Sequence, residues 1–202
     1  NAEPSASGQK VSPPSPSGKV ADEDGALWVD KYMPQTIGDL VGNRKVLNDL
    51  GNWLQSWHAI HVTEEKPKPR SKQNPGAKAA LLSGPPGIGK STMARLVARA
   101  CGYTIYELNA SDKRSKRLLH EALRDALHST MIQVHTDGST GLQRRCVVMD
   151  EVDGMSAGDR GGTQELIALL KDSKVPVITI CNDRQSQKVR SLANHCYDLR
   201  VS

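Results

Sequence analysis

The chain of 202 residues has no phenylalanine and few aromatic side chains of any kind, 3% in all. Nothing in the sequence accounts for the missing phenylalanine. There is no apolar run long enough for a membrane-spanning helix and no visible signal peptide. The four cysteines (Cys101, Cys146, Cys181, Cys196) show no CxxC spacing, and two of them sit in apolar, strand-like runs. That pattern excludes a zinc ribbon or a disulfide scaffold and implies buried, reduced thiols in a reducing compartment. The six histidines are scattered. His58 and His61 can share a helix face, but no second ligand pair accompanies them, so a metal centre is not expected there.

Large apolar residues are nearly missing from "NAEPSASGQKVSPPSPSGKVADEDG". Such a segment cannot bury enough surface to offset its ordering entropy, and residues 1–24 are expected to be a disordered tail or linker. Its two lysines face four carboxylates (net −2), which leaves +7 on residues 25–202 out of a total of +5. A basic domain of this kind permits a polyanionic partner, and a solvated basic surface explains the charge equally well.

What is present is a domain over 25–202. Val46, Leu47, Leu50, Trp53, Leu54 and Trp57 recur at helical spacing and predict a helix over 42–58. Residues 63–78, "TEEKPKPRSKQNPGAK", are charged and broken by three prolines, as in a mobile surface loop. Beyond them the chain alternates. Strands are expected at 78–83, 103–109, 145–149, 175–180 and 196–201. Helices are expected after Lys90, over 115–128, over 163–171 and around Val189 and Leu192, with 135–143 a polar loop. This alternation predicts a parallel α/β sheet with helices on both faces.

Between the first of these strands and its helix stands "GPPGIGKS". The residues Gly84, Pro85, Pro86, Gly87, Ile88, Gly89, Lys90 and Ser91 complete a GxxxxGK[ST] loop. Its glycines let backbone N–H groups turn toward a phosphate chain without side-chain clash. Lys90 can reach the β- and γ-phosphates. Ser91 offers a hydroxyl to Mg²⁺, and Thr92 lies beside the α- and β-phosphates. The strand "CVVMD" ends in Asp150, where a P-loop protein supports its magnesium ion. Glu151 follows and can hold a water for attack on the γ-phosphate. Asp153 is read as a turn-shaping residue. A further strand ends in "CND", so Asn182 either meets the γ-phosphate or simply forms a turn.

The ordered set "GPPGIGKS", "VVMDEVDG" and "CND" resembles the AAA+ ATPases. Within them, "LWVDKYMP", "ELNASD", "DEVDGMSAGDRGG" and "CNDR" resemble replication factor C, the eukaryotic sliding-clamp loader, and "NASDKRSK" and "GDRGG" its large subunits. The resemblance covers 26–200. It implies a RecA-like P-loop NTPase domain with a five-stranded parallel sheet of order 5-1-4-3-2. The Asn182 strand then lies between the two strands that carry the phosphate loop and Asp150, which favours a catalytic Asn182. It implies ATP with Mg²⁺, and an adenine pocket lined by Val29, Tyr32, Pro34, Val41 and Gly42. Four small subunits would complete a hetero-pentamer that acts on a sliding clamp and primer-template DNA in the nucleus, with no membrane. Arg160, Arg184, Lys188 and Arg190 would follow the DNA backbone. A helical lid and a collar domain would lie beyond residue 202.

Two departures qualify the resemblance. "NHC" (194–196) replaces the small subunits' "SRC", so His195 cannot serve as an arginine finger, and Met33 replaces the arginine of "KYRP". Such a subunit would receive a finger without donating one, as at one end of an open arc. The competing expectation is a nucleotide-stabilised scaffold in the same or a checkpoint-type loader, whose own hydrolysis is dispensable.

Overall fold

The computed structural model describes residues 31–62, 76–112, 117, 121, 132–134, 140–142, 144–155 and 160–202. The expected tail over 1–24, Val29, residues 63–75 of the expected loop and most of the expected helix over 115–128 lie outside them. Two compact units divide the chain, residues 1–33 and 34–202.

A 3₁₀ turn (Ile37–Asp39) precedes helix α1 (Arg44–His61). The expected apolar stripe is its inner face, with Leu47, Leu50, Trp53, Leu54 and Trp57 all buried. The helix runs three residues past the expected end. A buried indole N–H must find an acceptor, and both of these do. Trp53 Nε1 donates to the Ala77 carbonyl at 2.9 Å and Trp57 Nε1 to the Lys78 carbonyl at 3.0 Å. These bonds tie α1 to the chain that enters strand β1 (Ala79–Ser83).

Helix α2 (Lys90–Ala100) follows β1 and stops at Gly102, whose φ of 78° is the left-handed geometry that glycine tolerates. Strand β2 (Tyr103–Asn109) comes next. A small antiparallel hairpin, β3 (Ile132–Val134) with β4 (Thr140–Leu142), replaces part of the polar loop expected over 135–143. Strand β5 (Arg144–Asp150), a 3₁₀ turn (Val152–Gly154), helix α3 (Arg160–Asp172), strand β6 (Val177–Cys181), helix α4 (Gln187–Ala193) and strand β7 (Cys196–Arg200) complete the domain. Helix α3 starts three residues before the expected Thr163.

The main sheet is parallel in the order β2-β5-β6-β1-β7. Counted over its five strands, this is the expected 5-1-4-3-2. Alternate residues serve opposite faces of the sheet. Ala80, Leu82, Val148, Ile178 and Ile180 join α1 and α2 in one buried layer. Ala79, Leu81, Val147, Met149 and Val177 join α3 and α4 in the other. Both faces are therefore covered, which is why these strands read as unbroken apolar runs.

At the edge of the domain Asn43, in left-handed backbone geometry (φ 49°), pairs with the last residue of the chain. Its side-chain amide donates to the Ser202 carbonyl at 2.9 Å and accepts from the Ser202 N–H at 3.0 Å. No helix among the described residues is long and apolar enough to cross a membrane.

Candidate active site

Parallel strands direct their C-terminal ends to one side, and ligands bind in the crevice there. On that side the phosphate loop joins β1 to α2. Gly87 and Gly89 take left-handed φ values of 78° and 85°. Gly84 is needed for a different reason. A Cβ there would lie 2.3 Å from the Val201 carbonyl oxygen, so no side chain fits.

Lys90 begins α2 and is buried, yet its ammonium is satisfied. Nζ donates to the carbonyls of Gly84 (2.8 Å) and Pro85 (2.7 Å) and to Asn182 Oδ1 (2.7 Å). Burial lowers its pKa from the usual lysine value, while the nearby Asp150, Cys181 and Asp153 oppose that shift. Ser91 Oγ donates to Asp150 Oδ2 across the strand ends. Thr92 stands half-buried in the first turn of α2. Because β6 lies between β1 and β5, Asn182 sits between the lysine and Asp150.

Glu151 departs from strand geometry, with φ 56°. Its own N–H donates to Asp150 Oδ1 at 2.8 Å, and its side chain turns toward the end of β2. There Oε2 accepts from Asn109 Nδ2 and from Ser111 Oγ, both at 3.0 Å. The two neighbouring carboxylates thus have separate environments. Neither Asn109 nor Ser111 emerged from sequence reasoning, although both lie in the quoted "ELNASD".

Asp153 does more than shape its turn. Its Oδ2 accepts the backbone N–H groups of Asn182 (3.0 Å) and Asp183 (2.9 Å), so it joins the turn after β5 to the loop after β6.

Three of the four cations expected on a DNA surface have partners within the chain. The Arg184 guanidinium grips Asp198 on β7, with Nη2 to Oδ2 at 3.1 Å and Nε to the same carboxylate at 3.3 and 3.4 Å. Lys188 Nζ donates to the Met155 carbonyl. Arg190 is exposed on α4, with Nη2 donating to Gln185 Oε1 at 2.9 Å. Arg160 is the first residue of α3, and its side chain lies outside the description. On the expected adenine side Pro34 is half-buried, Val41 is 98% exposed, and Gly42 is exposed with φ 81°. Tyr32 belongs to the other compact unit.

A phosphate loop after β1, an aspartate ending β5 and an asparagine directly after the strand between them define a P-loop ATPase domain. The chain belongs to the AAA family, "ATPase family associated with various cellular activities", which matches residues 80–200. Its sequence relatives are more particular. It is 46% identical over 208 residues to Replication factor C subunit 1 of Drosophila melanogaster, covering 96% of this chain and 21% of that protein. It is 43% identical over 187 residues to the Homo sapiens subunit 1, covering 86% of this chain and 16% of that protein. The Replication factor C large subunit of Methanococcus aeolicus is 38% identical over 175 residues, covering 86% and 32%. The chain therefore spans about a fifth of the length of the eukaryotic relatives it matches. Among solved structures, one described as "Structural Basis for Katanin Self-Assembly" shares the fold, with TM-score 0.59 at 17% identity over 82% of this chain and 53% of that one.

Proposed function

We propose that this domain binds and hydrolyses ATP as part of a clamp-loader large subunit. With four small subunits it opens a sliding clamp and sets it on primer-template DNA in the nucleus. The observation that carries the reading is the convergence of Lys90, Ser91, Asp150 and Asn182 at one end of the sheet, with Glu151 beside them. The large-subunit relatives supply the context.

The residues fit a nucleotide and its metal. The phosphate loop has the left-handed glycines that bring backbone close to phosphate, and a buried ammonium waits at its base. Ser91 and Asp150 would hold a magnesium ion, which supplies charge neutralisation for the β- and γ-phosphates. Lys90 exchanges carbonyl partners for phosphate oxygens. Asn182 orients the γ-phosphate end. Glu151 holds and polarises the attacking water, either through Oε1 or by loosening the bonds that Asn109 and Ser111 make to Oε2. Pro34, Val41 and Gly42 would flank the adenine. With Arg184 and Lys188 half-buried against internal partners and Arg190 exposed, DNA contacts rest on Arg160 and Arg190, and both would be backbone-directed.

The test is Glu151→Gln in an assembled complex whose other subunits cannot hydrolyse ATP. Nucleotide binding should persist while turnover falls on the order of 10²–10⁴-fold. Unchanged turnover would remove Glu151 from the chemistry. The hold of Asn109 and Ser111 on Glu151 favours a second reading, in which this site binds ATP as a scaffold and fires dispensably. Full clamp loading by the hydrolysis-dead variant would decide for that reading.

A further inference from the structure

We propose that Asp153 is a positioning residue for Asn182 and, through it, for Lys90. The inference rests on the ATPase reading above and extends it to a residue outside the metal, water and phosphate contacts.

The need for such a residue follows from the sheet. Strand β6 pairs with β1 only as far as Cys181 opposite Ser83, and with β5 as far as Thr179 opposite Met149. Asn182 and Asp183 have therefore left the ladder, and their N–H groups need acceptors from elsewhere. One carboxylate oxygen serves both, Asp153 Oδ2 at 3.0 and 2.9 Å. A single acceptor facing two successive N–H groups fixes the direction of that peptide as well as its position. Asn182 Oδ1 then reaches Lys90 Nζ at 2.7 Å. Lys188 Nζ, donating to the Met155 carbonyl, adds a second link between the same turn and α4. The order of dependence is Asp153 to the Asn182 backbone, Asn182 side chain to the Lys90 ammonium. Displacement of a reacting geometry by about 1 Å can cost on the order of 10²-fold in rate, so a remote anchor of this kind acts mainly on turnover.

The test measures single-site turnover in the assembled complex with the other subunits unable to hydrolyse. Asp153→Ala should lower kcat by roughly 10- to 100-fold with KM changed less than about threefold. Asp153→Asn keeps a neutral oxygen acceptor and should hold kcat within about threefold of the parent. Its behaviour decides the matter even if the alanine variant fails to fold. A loss as large as that of Asn182→Ala would mean that Asp153 acts by charge, which overturns the proposal. The double variant D153A/N182A should turn over as slowly as N182A alone, because both changes break one chain of contacts. A further multiplicative loss in the double variant overturns the positioning role and leaves the ATPase reading standing. Parental turnover in N182A overturns both.

Discussion

Replacing Gly84 by alanine tests the claim that the phosphate loop is held by the strand exit behind it. The added Cβ would stand 2.3 Å from the Val201 carbonyl oxygen, 3.2 Å from its carbon and 2.9 Å from Ile88 Cδ1. Ile88 ends in a flexible side chain and can turn aside. The Val201 carbonyl cannot easily follow, since the Val201 N–H donates to the Ser83 carbonyl at 2.8 Å and the next residue is held by Asn43. The displacement is therefore forced onto the loop. Overpacking of this kind costs about 1–3 kcal/mol. For a domain of this size that lowers the melting temperature by about 2–12 °C, at roughly 2–4 °C per kcal/mol. Gly87 provides the contrast, because a Cβ there meets nothing within 4 Å and only its φ of 78° is unfavourable. Gly87→Ala should cost the left-handed penalty alone, about 1–2 kcal/mol. Thermal melting and nucleotide titration of both variants give the comparison. Both variants should lose nucleotide affinity, Gly84→Ala through the strained β1–loop junction and Gly87→Ala through the left-handed turn that brings backbone to phosphate, with Gly84→Ala melting lower. A Gly84→Ala protein that melts within about 1 °C of the parent and binds nucleotide unchanged would refute the reasoning.

Arg160→Ala should weaken DNA binding evenly across sequences and reduce the log–log salt slope by about 1, measured by titration at several salt concentrations. An unchanged slope would take Arg160 off the DNA surface. Arg184→Ala should leave that slope alone and instead lower stability by about 1 kcal/mol in denaturant melts, through loss of its partly buried pair with Asp198. Alkaline pH should destabilise the fold. Burial holds the thiols of Cys181 and Cys196 and the phenol of Tyr103 up to about 12, and raises Cys146 as well. These groups stay protonated in the folded chain while the unfolded chain ionises from about pH 9 upward. Their stabilising contribution is thus complete below about pH 9 and is lost as pH climbs toward 12. A urea midpoint equal at about pH 7 and about pH 10.5 would contradict this.

The α/β alternation was legible because strands covered on both faces must be apolar at every position, and helices covered on one face must repeat every three or four. "KAALLS" and the Leu47–Trp57 stripe carry those two patterns almost without interruption. The strand order came instead from the family resemblance, since no single strand encodes its neighbours. Lys90, Ser91, Asp150 and Asn182 were readable because each ends or begins an element at a fixed offset from a motif. Asn109 and Ser111 were not, because they meet Glu151 from about forty residues away and only the pairing of β2 with β5 brings them there. The same limit applied to Arg184. Its charge suggested a polyanion, while the Asp198 that engages it sits on a strand one further removed in the sheet. Asp153 looked like a local turn residue since its two partners belong to the next strand's exit.

The reciprocal bonds between Asn43 and Ser202 have a mechanical consequence. A pull applied to the chain at Ser202 loads two hydrogen bonds side by side, so neither can be opened first as in a zipper. The load is shared between the covalent backbone leading into β7 and the Asn43 side chain, which passes its part to the residue preceding α1. Position 43 thereby works as a strain-relief fitting: part of the tension at Ser202 is handed to α1 and its tryptophan-lined face, and less of it falls on the strand beside β1.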